Sequence, residues 1–138
     1  MDVMRPWIMR ERGKAMKRVL VVDDDPIYIE VAQALLATAL GAQVSSATDG
    51  KAAESLLADD VPYDLLMLDL NMPDYDGVQF LDYLRELDFR GPIMIVSGAD
   101  RTVRAGATGL AKAYGLNVVG VVEKPLTIKK LVPALAHA

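Results

Sequence analysis

The sequence predicts an α/β protein, a single doubly wound domain in which helices cover both faces of a parallel β-sheet. Short apolar runs alternate with helical patterns five times along the chain. Most of these runs are continuously apolar, as expected for strands that are buried on both faces. Strands that alternate with helices are joined by right-handed crossovers, which align the strands in parallel within one sheet.

The five predicted strands are apolar segments bounded by polar or turn residues. They are residues 18–22, 42–47, 64–69, 93–97 and 117–122. The second has the weakest apolar pattern because Gln43, Ser45 and Ser46 interrupt it. The sequence shows no internal repeat and no low-complexity linker, so we expect the strands to form one sheet.

The first helix has a clear beginning and end. Pro26 suits a first helical turn, and Gly41 suits the residue that follows a helix. Between them Ile27, Val31 and Leu35 recur at intervals of one helical turn. This spacing predicts an amphipathic helix with these side chains on its apolar face.

The other helices are predicted at residues 51–58, around Phe80 and Leu84, at residues 101–115, and after Thr127. Val103 is expected on the apolar face of the fourth helix, although Gly106 and Gly109 lower its helix propensity. Pro133 lies inside the last helix and is expected to kink or end it.

Composition limits what the chain can do. With 138 residues, no cysteine and a formal net charge of −4, it fits one cytoplasmic domain without disulfides or thiolate metal sites. The acidic balance argues against direct nucleic-acid binding, which needs a basic surface. No apolar run is long enough to cross a membrane.

The first residues differ from the rest of the chain. Residues 1–16 are basic and lack the apolar stretch of a secretory signal, so we expect a flexible extension before a domain at residues 17–138. The alternative interpretation is an amphipathic arm that docks on a partner through Trp7 and Ile8.

Reactive side chains lie at the ends of four of the five predicted strands. They are Asp23, Asp24 and Asp25 directly after the first strand, Asp69 as the last residue of the third, Ser97 as the last residue of the fourth and Lys124 shortly after the fifth. In a parallel α/β sheet the functional site lies outside the carboxyl ends of the strands. Each residue alone is more often a turn, cap or surface residue. Their joint occurrence at one edge of the sheet predicts a site.

The predicted site has the chemistry of phosphoryl transfer. Clustered carboxylates repel each other unless a cation joins them, and Mg²⁺, or Mn²⁺ in its place, suits an all-oxygen ligand set. Asp69 stands alone after the central strand and is the natural nucleophile, because a carboxylate can accept a phosphoryl group. Lys124 and the Ser97 hydroxyl could contact the phosphoryl oxygens, and the Asn71 carbonyl could complete the metal shell. Asp74 and Asp76 are interpreted as turn and capping acids.

The sequence resembles the response-regulator receiver family of two-component signalling, whose fold is flavodoxin-like with strand order 2-1-3-4-5. The resemblance rests on Val-Val-Asp-Asp-Asp-Pro at 21–26, Leu-Asp-Leu-Asn-Met-Pro at 68–73, Ile-Val-Ser-Gly at 95–98 and Glu-Lys-Pro-Leu at 123–126. It implies a phosphorylation-dependent switch rather than an enzyme. The phosphodonor would be a sensor histidine kinase or a histidine phosphotransfer protein.

The resemblance also implies a role for each site residue. Asp69 would be the acceptor, Asp24 would bind the metal directly, and Asp23 would act through water. Ser97 and Lys124 would contact the phosphoryl group, and the bond from Lys124 to Pro125 would be cis. Phosphorylation would shift the face formed by the fourth helix, fifth strand and fifth helix. A weak homodimer is left open.

Two features depart from the family pattern. Val121 occupies the position at which many relatives carry a switch aromatic, and the segment from Ser97 to Lys124 is longer than in compact members. The segment from Ala113 to Leu126 also resembles receivers that are joined to EAL-type cyclic-di-GMP phosphodiesterase domains. The output domain or effector would then lie outside this chain.

Two other functions are compatible with parts of the pattern. A haloacid-dehalogenase-like phosphatase would use Asp23-Asp24-Asp25 as its Asp-x-Asp motif, but it would leave Asp69 without a role. A binding module that uses the receiver fold without phosphorylation would usually lack the acceptor, a metal acid or the lysine, and all of these are present.

Overall fold

The computed structural model describes residues 17–59, 62–71, 77–98 and 100–136. Within these ranges the elements in chain order are β1 Arg18–Val22, α1 Pro26–Leu40, β2 Gln43–Ala47, α2 Gly50–Ala58, β3 Leu65–Leu68, α3 Gly77–Glu86, β4 Pro92–Ser97, α4 Arg101–Ala113, β5 Asn117–Glu123 and α5 Ile128–Ala136. The predictions for residues 1–16 and for Asp74 and Asp76 lie outside the described residues.

The strands form one parallel sheet in the order β2-β1-β3-β4-β5. This confirms the predicted fold class, including the strand order 2-1-3-4-5. The observed strand bounds agree with the sequence prediction to within two residues at each end, which is the usual uncertainty of element boundaries.

The sheet separates two hydrophobic cores, as its alternating side chains require. One core packs β-strand residues such as Val19, Val21 and Met67 against α1 and α5. The other packs residues such as Leu20 and Leu66 against α2, α3 and α4. Both faces of the sheet are therefore covered, which explains why β1 and β3 are apolar at nearly every position.

Polar caps fix the helix ends near the carboxyl edge of the sheet. Asp25 accepts a hydrogen bond from the Ile27 N–H at the start of α1, and Asp49 and Asp100 cap α2 and α4 in the same way. Gly41 ends α1 with φ of 63°, a left-handed conformation that glycine adopts at little cost.

The apolar face predicted for α1 is wrong. Ile27 is 69% exposed and Val31 is 38% exposed, and of the predicted stripe only Leu35 packs against the core. The buried residues of the helix are Ile29, Ala32, Leu36, Ala39 and Leu40. Nearly every face of α1 carries apolar side chains, so spacing alone could not identify the face that contacts the sheet.

Two further details of the helices differ from expectation. Val103 is 52% exposed, and the buried residue of α4 is Ala111. Pro133 does not end α5, which continues to Ala136. Leu131 and Leu135 lie on the face of this helix that packs on the sheet, and this packing holds the last turn in place.

The pairing of β4 with β5 contains one irregularity. Ile93 pairs with Val118 but Met94 pairs with Gly120, so the extra residue Val119 forms a bulge on β5. Beyond it the strands pair regularly up to Ser97 and Glu123. In the part of the chain that the structure describes, no helix has the length and hydropathy of a membrane span.

Candidate functional site

Strand register brings two of the predicted acids together. Val21 pairs with Met67 and Val22 with Leu68, and the Asp69 N–H continues the ladder by donating to the Val22 carbonyl at 2.9 Å. Neighbouring strands lie about 4.8 Å apart, so residues that continue the same register point their side chains the same way. Asp23 and Asp69 therefore lie side by side, only 5% and 3% exposed.

Asp24 joins this pair from the first turn after β1. One carboxylate oxygen from each of Asp23, Asp24 and Asp69 lies within 4.8 Å of the other two. Asp24 is exposed whereas the other two acids are buried. Three hard oxygen donors, one of them open to solvent, fit a divalent cation such as Mg²⁺.

Lys124 reaches the two buried acids from the end of β5. Its Nζ lies 2.8 Å from Asp23 Oδ2 and 3.4 Å from Asp69 Oδ2, and its side chain is only 12% exposed. The remaining oxygens accept backbone hydrogen bonds. Asp23 Oδ1 accepts from the Asp25 N–H at 2.9 Å, and Asp69 Oδ1 accepts from the Asn71 N–H at 3.1 Å.

The buried position of Asp69 raises its affinity for a proton. Burial is the largest cause and raises its pKa from 3.8 to about 6, with a further contribution from the negative charge of Asp23. The Asn71 N–H and the Lys124 ammonium oppose this increase. The Asn71 N–H and the Lys124 ammonium favour the carboxylate, which is the form of Asp69 that can act as a nucleophile.

Lys124 is held in its charged form. Burial on its own acts to lower the pKa of the ammonium, but the hydrogen bond to Asp23 and the negative charge of Asp69 outweigh it. The pKa of Lys124 is therefore raised above its ordinary value. The site thus contains a fixed positive charge beside the candidate nucleophile.

Tyr28 is a site residue that the sequence interpretation missed. The Lys124 Nζ lies 4.1 Å from the centroid of its ring, a cation–π geometry that orients the ammonium. Tyr28 also lines a small cavity of about 10 Å³ together with Asp23 and Asp69. Its position in the first turn of α1, four residues after Asp24, is the signal that could have identified it, because that turn faces the strand ends.

Ser97 and Lys124 are joined through the backbone. Ser97 is fully buried at the end of β4, and its carbonyl accepts the Lys124 N–H at 3.0 Å. The peptide bond between Lys124 and Pro125 is cis. The carboxyl ends of β4 and β5 are thus fixed to each other next to the acids.

Val121 lies apart from the acids, on the outer side of β5. It is 42% exposed and lines a groove of about 530 Å³ between α4 and β5, hereafter the α4–β5 groove. Polar and charged side chains make up much of the rest of its lining, namely Arg101, Arg104, Thr108, Lys112 and Glu123. Arg104 pairs with Glu123 at 3.1 Å across the groove.

A family model described as the response regulator receiver domain matches residues 19–136. The chain belongs to this family. It is a receiver domain of a two-component response regulator, and its strand order is the one expected for that fold.

The receiver domain is similar to curated proteins of different lengths. It is 34% identical to the two-component response regulator ARR22 of Arabidopsis thaliana, covering 92% of this chain and 87% of that protein. It is 27% identical to the cyclic di-GMP phosphodiesterase RocR of Pseudomonas aeruginosa, covering 86% of this chain but only 30% of RocR. The chain therefore spans most of one relative and less than a third of the other.

Solved structures show the same fold. A response regulator from Colwellia psychrerythraea superposes with a TM-score of 0.74 at 29% identity, covering 88% of this chain and 94% of that one. The receiver domain is similar to that protein over nearly its whole described length.

Proposed function

We propose that the chain is a phosphorylation-dependent switch in which Asp69 accepts a phosphoryl group. The observation that carries this proposal is the position of Asp69, which is buried and lies 3.4 Å from the Lys124 ammonium. The family match supports it, since the matched range includes both residues.

The proposed donor is a phosphohistidine on a sensor histidine kinase or a histidine phosphotransfer protein. A carboxylate oxygen of Asp69 attacks the phosphorus, a P–O bond forms, and the P–N bond to the donor imidazole breaks. The imidazole nitrogen leaves with the bonding electron pair and takes up a proton. Hydrolysis of the aspartyl phosphate by water later restores Asp69, so the chain acts on its own phosphoryl group only.

Mg²⁺ is the proposed cofactor, with Mn²⁺ as a substitute. Asp24 and Asp69 would hold the ion directly, together with the Asn71 carbonyl, and Asp23 would act through water. The Lys124 Nζ lies closer to Asp23, at 2.8 Å, than to Asp69, at 3.4 Å, which supports an indirect role for Asp23. When bound, the ion supplies positive charge that offsets the negative charge of the phosphoryl oxygens.

Lys124 and Ser97 are the proposed contacts of the phosphoryl group. The fixed charge of Lys124 would bind one of its oxygens, and the Ser97 hydroxyl would donate a hydrogen bond to another. Phosphorylation adds roughly two negative charges at neutral pH, which would draw these groups inward. Because Ser97 and Lys124 are joined by a backbone hydrogen bond, we propose that the change reaches the face formed by α4, β5 and α5.

The proposed output is a domain or effector protein that recognises this face. RocR is named a cyclic di-GMP phosphodiesterase, and most of its length lies outside the region similar to this chain. An EAL-type output partner is therefore one proposal, and a weak homodimer is another. A cytoplasmic location, expected from the cysteine-free sequence, stays a prediction.

The phosphatase alternative is less well supported by the site. A phosphatase that used Asp23 as its nucleophile would leave the buried Asp69, 3.4 Å from the Lys124 Nζ, without a role. The alternative of a binding module without phosphorylation has no specific observation in its favour, since acceptor, acids and lysine converge.

Acetyl phosphate with Mg²⁺ provides a direct test. We expect the intact wild-type protein to gain the mass of one phosphoryl group and Asp69→Asn to gain none. Asp88→Asn is the matched control, because Asp88 is an exposed acid at the opposite end of the sheet with φ of 56°, which asparagine tolerates. Equal uptake by wild type and Asp69→Asn would refute Asp69 as the acceptor.

A further inference from the structure

The first turn of α5 carries charges that oppose the usual helix preference. Lys129 and Lys130 both lie near its N-terminus, where the helix dipole favours acids. The exposed Lys130 side chain folds back toward the preceding segment. Its Nζ donates hydrogen bonds to the carbonyls of Glu123 and Pro125, both at 3.0 Å. The side chain thus bridges the two residues on either side of Lys124.

These contacts hold the backbone of Lys124 from both directions. Its N–H donates to the Ser97 carbonyl at 3.0 Å, and the carbonyls before and after it both accept from Lys130. The Lys130 N–H itself donates to the Thr127 carbonyl at 3.1 Å, so the bridging side chain starts from a fixed helix end. The peptide units around Lys124 are therefore anchored to β4 and to α5.

We propose that Lys130 is a positioning residue that fixes Lys124 for phosphoryl transfer to Asp69. The proposal rests on the function proposed above and extends it to a residue that does not contact the acids. The Lys124 ammonium must lie within hydrogen-bond distance of two carboxylates, at 2.8 and 3.4 Å. Small displacements of a catalytic group reduce rates strongly, so a lysine that fixes the adjacent carbonyls affects the transfer step.

The first experiment compares phosphoryl uptake from acetyl phosphate among matched variants. Lys130→Met keeps the length and apolar stem of the side chain but removes its donors, and Lys129→Met makes the same change at the exposed neighbour. We expect Lys130→Met to slow uptake about fivefold and Lys129→Met to match wild type. Lys130→Arg keeps donors at this position, so we expect it to restore most of the rate.

The second experiment separates positioning from a general loss of structure. If Lys130 acts through Lys124, Lys130→Met has no further effect on uptake in a Lys124→Ala background. In Mg²⁺-free buffer, NMR should show faster hydrogen exchange of the Lys124 amide in Lys130→Met but not in Lys129→Met. This second measurement does not depend on phosphorylation.

Three results would overturn the proposal. The first is equal uptake by Lys130→Met and Lys129→Met while wild type is phosphorylated, which leaves the function of Asp69 intact. The second is the same fold-change for Lys130→Met in both Lys124 backgrounds, which places its effect elsewhere. A wild-type protein that gains no phosphoryl group is the third, and it removes the proposed function as well.

Discussion

Two regions of the molecule differ in how tightly they are packed: the carboxyl ends of β1 and β3, and the outer surface of β5. At the carboxyl ends, Asp23, Asp69 and Lys124 are almost fully buried around a cavity of about 10 Å³, and both oxygens of Asp23 and of Asp69 have partners. At the outer surface of β5, Val121 is 42% exposed in a groove of about 530 Å³. The two regions are only three residues apart in sequence, at Val121 and Lys124.

This contrast shows where the structure is tightly determined. A buried charge without partners is costly, so each acid at the strand ends must be matched by nearby donors, and few alternative arrangements remain. An exposed valine in an open groove imposes no such requirement. We infer that substitutions near the acids have large effects of predictable sign, and that substitutions along α4 are tolerated or even stabilising.

The largest expected effect on stability comes from Asp69. Its pKa is about 6 in the folded chain against an ordinary value of 3.8, so the folded chain binds this proton more tightly than the unfolded chain. The associated stabilisation is complete below the unfolded value and is lost as the pH rises through the folded value. In metal-free buffer at pH 7 we expect Asp69→Asn to have a free energy of unfolding roughly 2 kcal/mol above wild type.

Urea unfolding between pH 4 and pH 8 with a chelator present measures this difference. The two proteins should converge at the acidic end, where Asp69 is protonated and resembles asparagine. A difference that stays constant across the whole range would show that ionisation of Asp69 is not its source.

The second prediction compares alanine substitutions at two glycines, Gly77 beside the acids and Gly109 in the α4–β5 groove. A Cβ on Gly77 would lie 2.7 Å from the Leu70 carbonyl oxygen, a backbone atom between Asp69 and Asn71, whereas a Cβ on Gly109 in α4 meets nothing within 4 Å. We expect Gly77→Ala to cost about 1–3 kcal/mol and to slow phosphoryl uptake. Gly109→Ala should instead stabilise the chain by about 0.5–1 kcal/mol, because alanine favours a helix interior.

Chemical denaturation of both variants under one set of conditions tests the opposite signs. Destabilisation by Gly109→Ala comparable to that of Gly77→Ala would mean that α4 is as tightly constrained as the site, and the contrast between the regions would fail.

The smallest effect is expected for Tyr28, at the border of the site. Tyr28→Leu removes the ring that lies 4.1 Å from the Lys124 Nζ but keeps an apolar side chain, and should lower the free energy of unfolding by about 1 kcal/mol. Ile27→Ala is the control, since Ile27 is adjacent and 69% exposed. Equal urea midpoints for the two variants would show that the cation–π contact contributes nothing measurable.

The sequence predicted the fold well and identified three acids that lie together in the structure. The order of apolar runs and helical patterns was enough to place Asp23, Asp69 and Lys124 at one edge of the sheet, because parallel strands bring their carboxyl ends together. The structure also places the Asp24 carboxylate within the same cluster. These predictions depended on local patterns and on a general rule of topology.

The features that the sequence did not predict depend on contacts between distant segments. The contact between Tyr28 and Lys124 joins residues separated by most of the domain, so the position of Tyr28 near Asp24 indicates a side chain near the strand ends but not its contact with Lys124. The exposed position of Ile27 and Val31 was missed because α1 is apolar on more than one face. Spacing identifies an apolar stripe, but only the packing of the whole sheet decides which stripe is buried.

The bulge at Val119 determines which residue of β5 lies opposite the end of β4. Because it consumes one residue, Glu123 rather than Val122 stands opposite Ser97, and Lys124 donates its N–H to the Ser97 carbonyl. With regular pairing instead of the bulge, each residue of β5 beyond it would lie about 3.3 Å further along the sheet, with its side chain turned to the other face. The bulge at Val119 thus helps to set the distance between Lys124 and Asp69, although it lies roughly 15 Å from Lys124 along the strand.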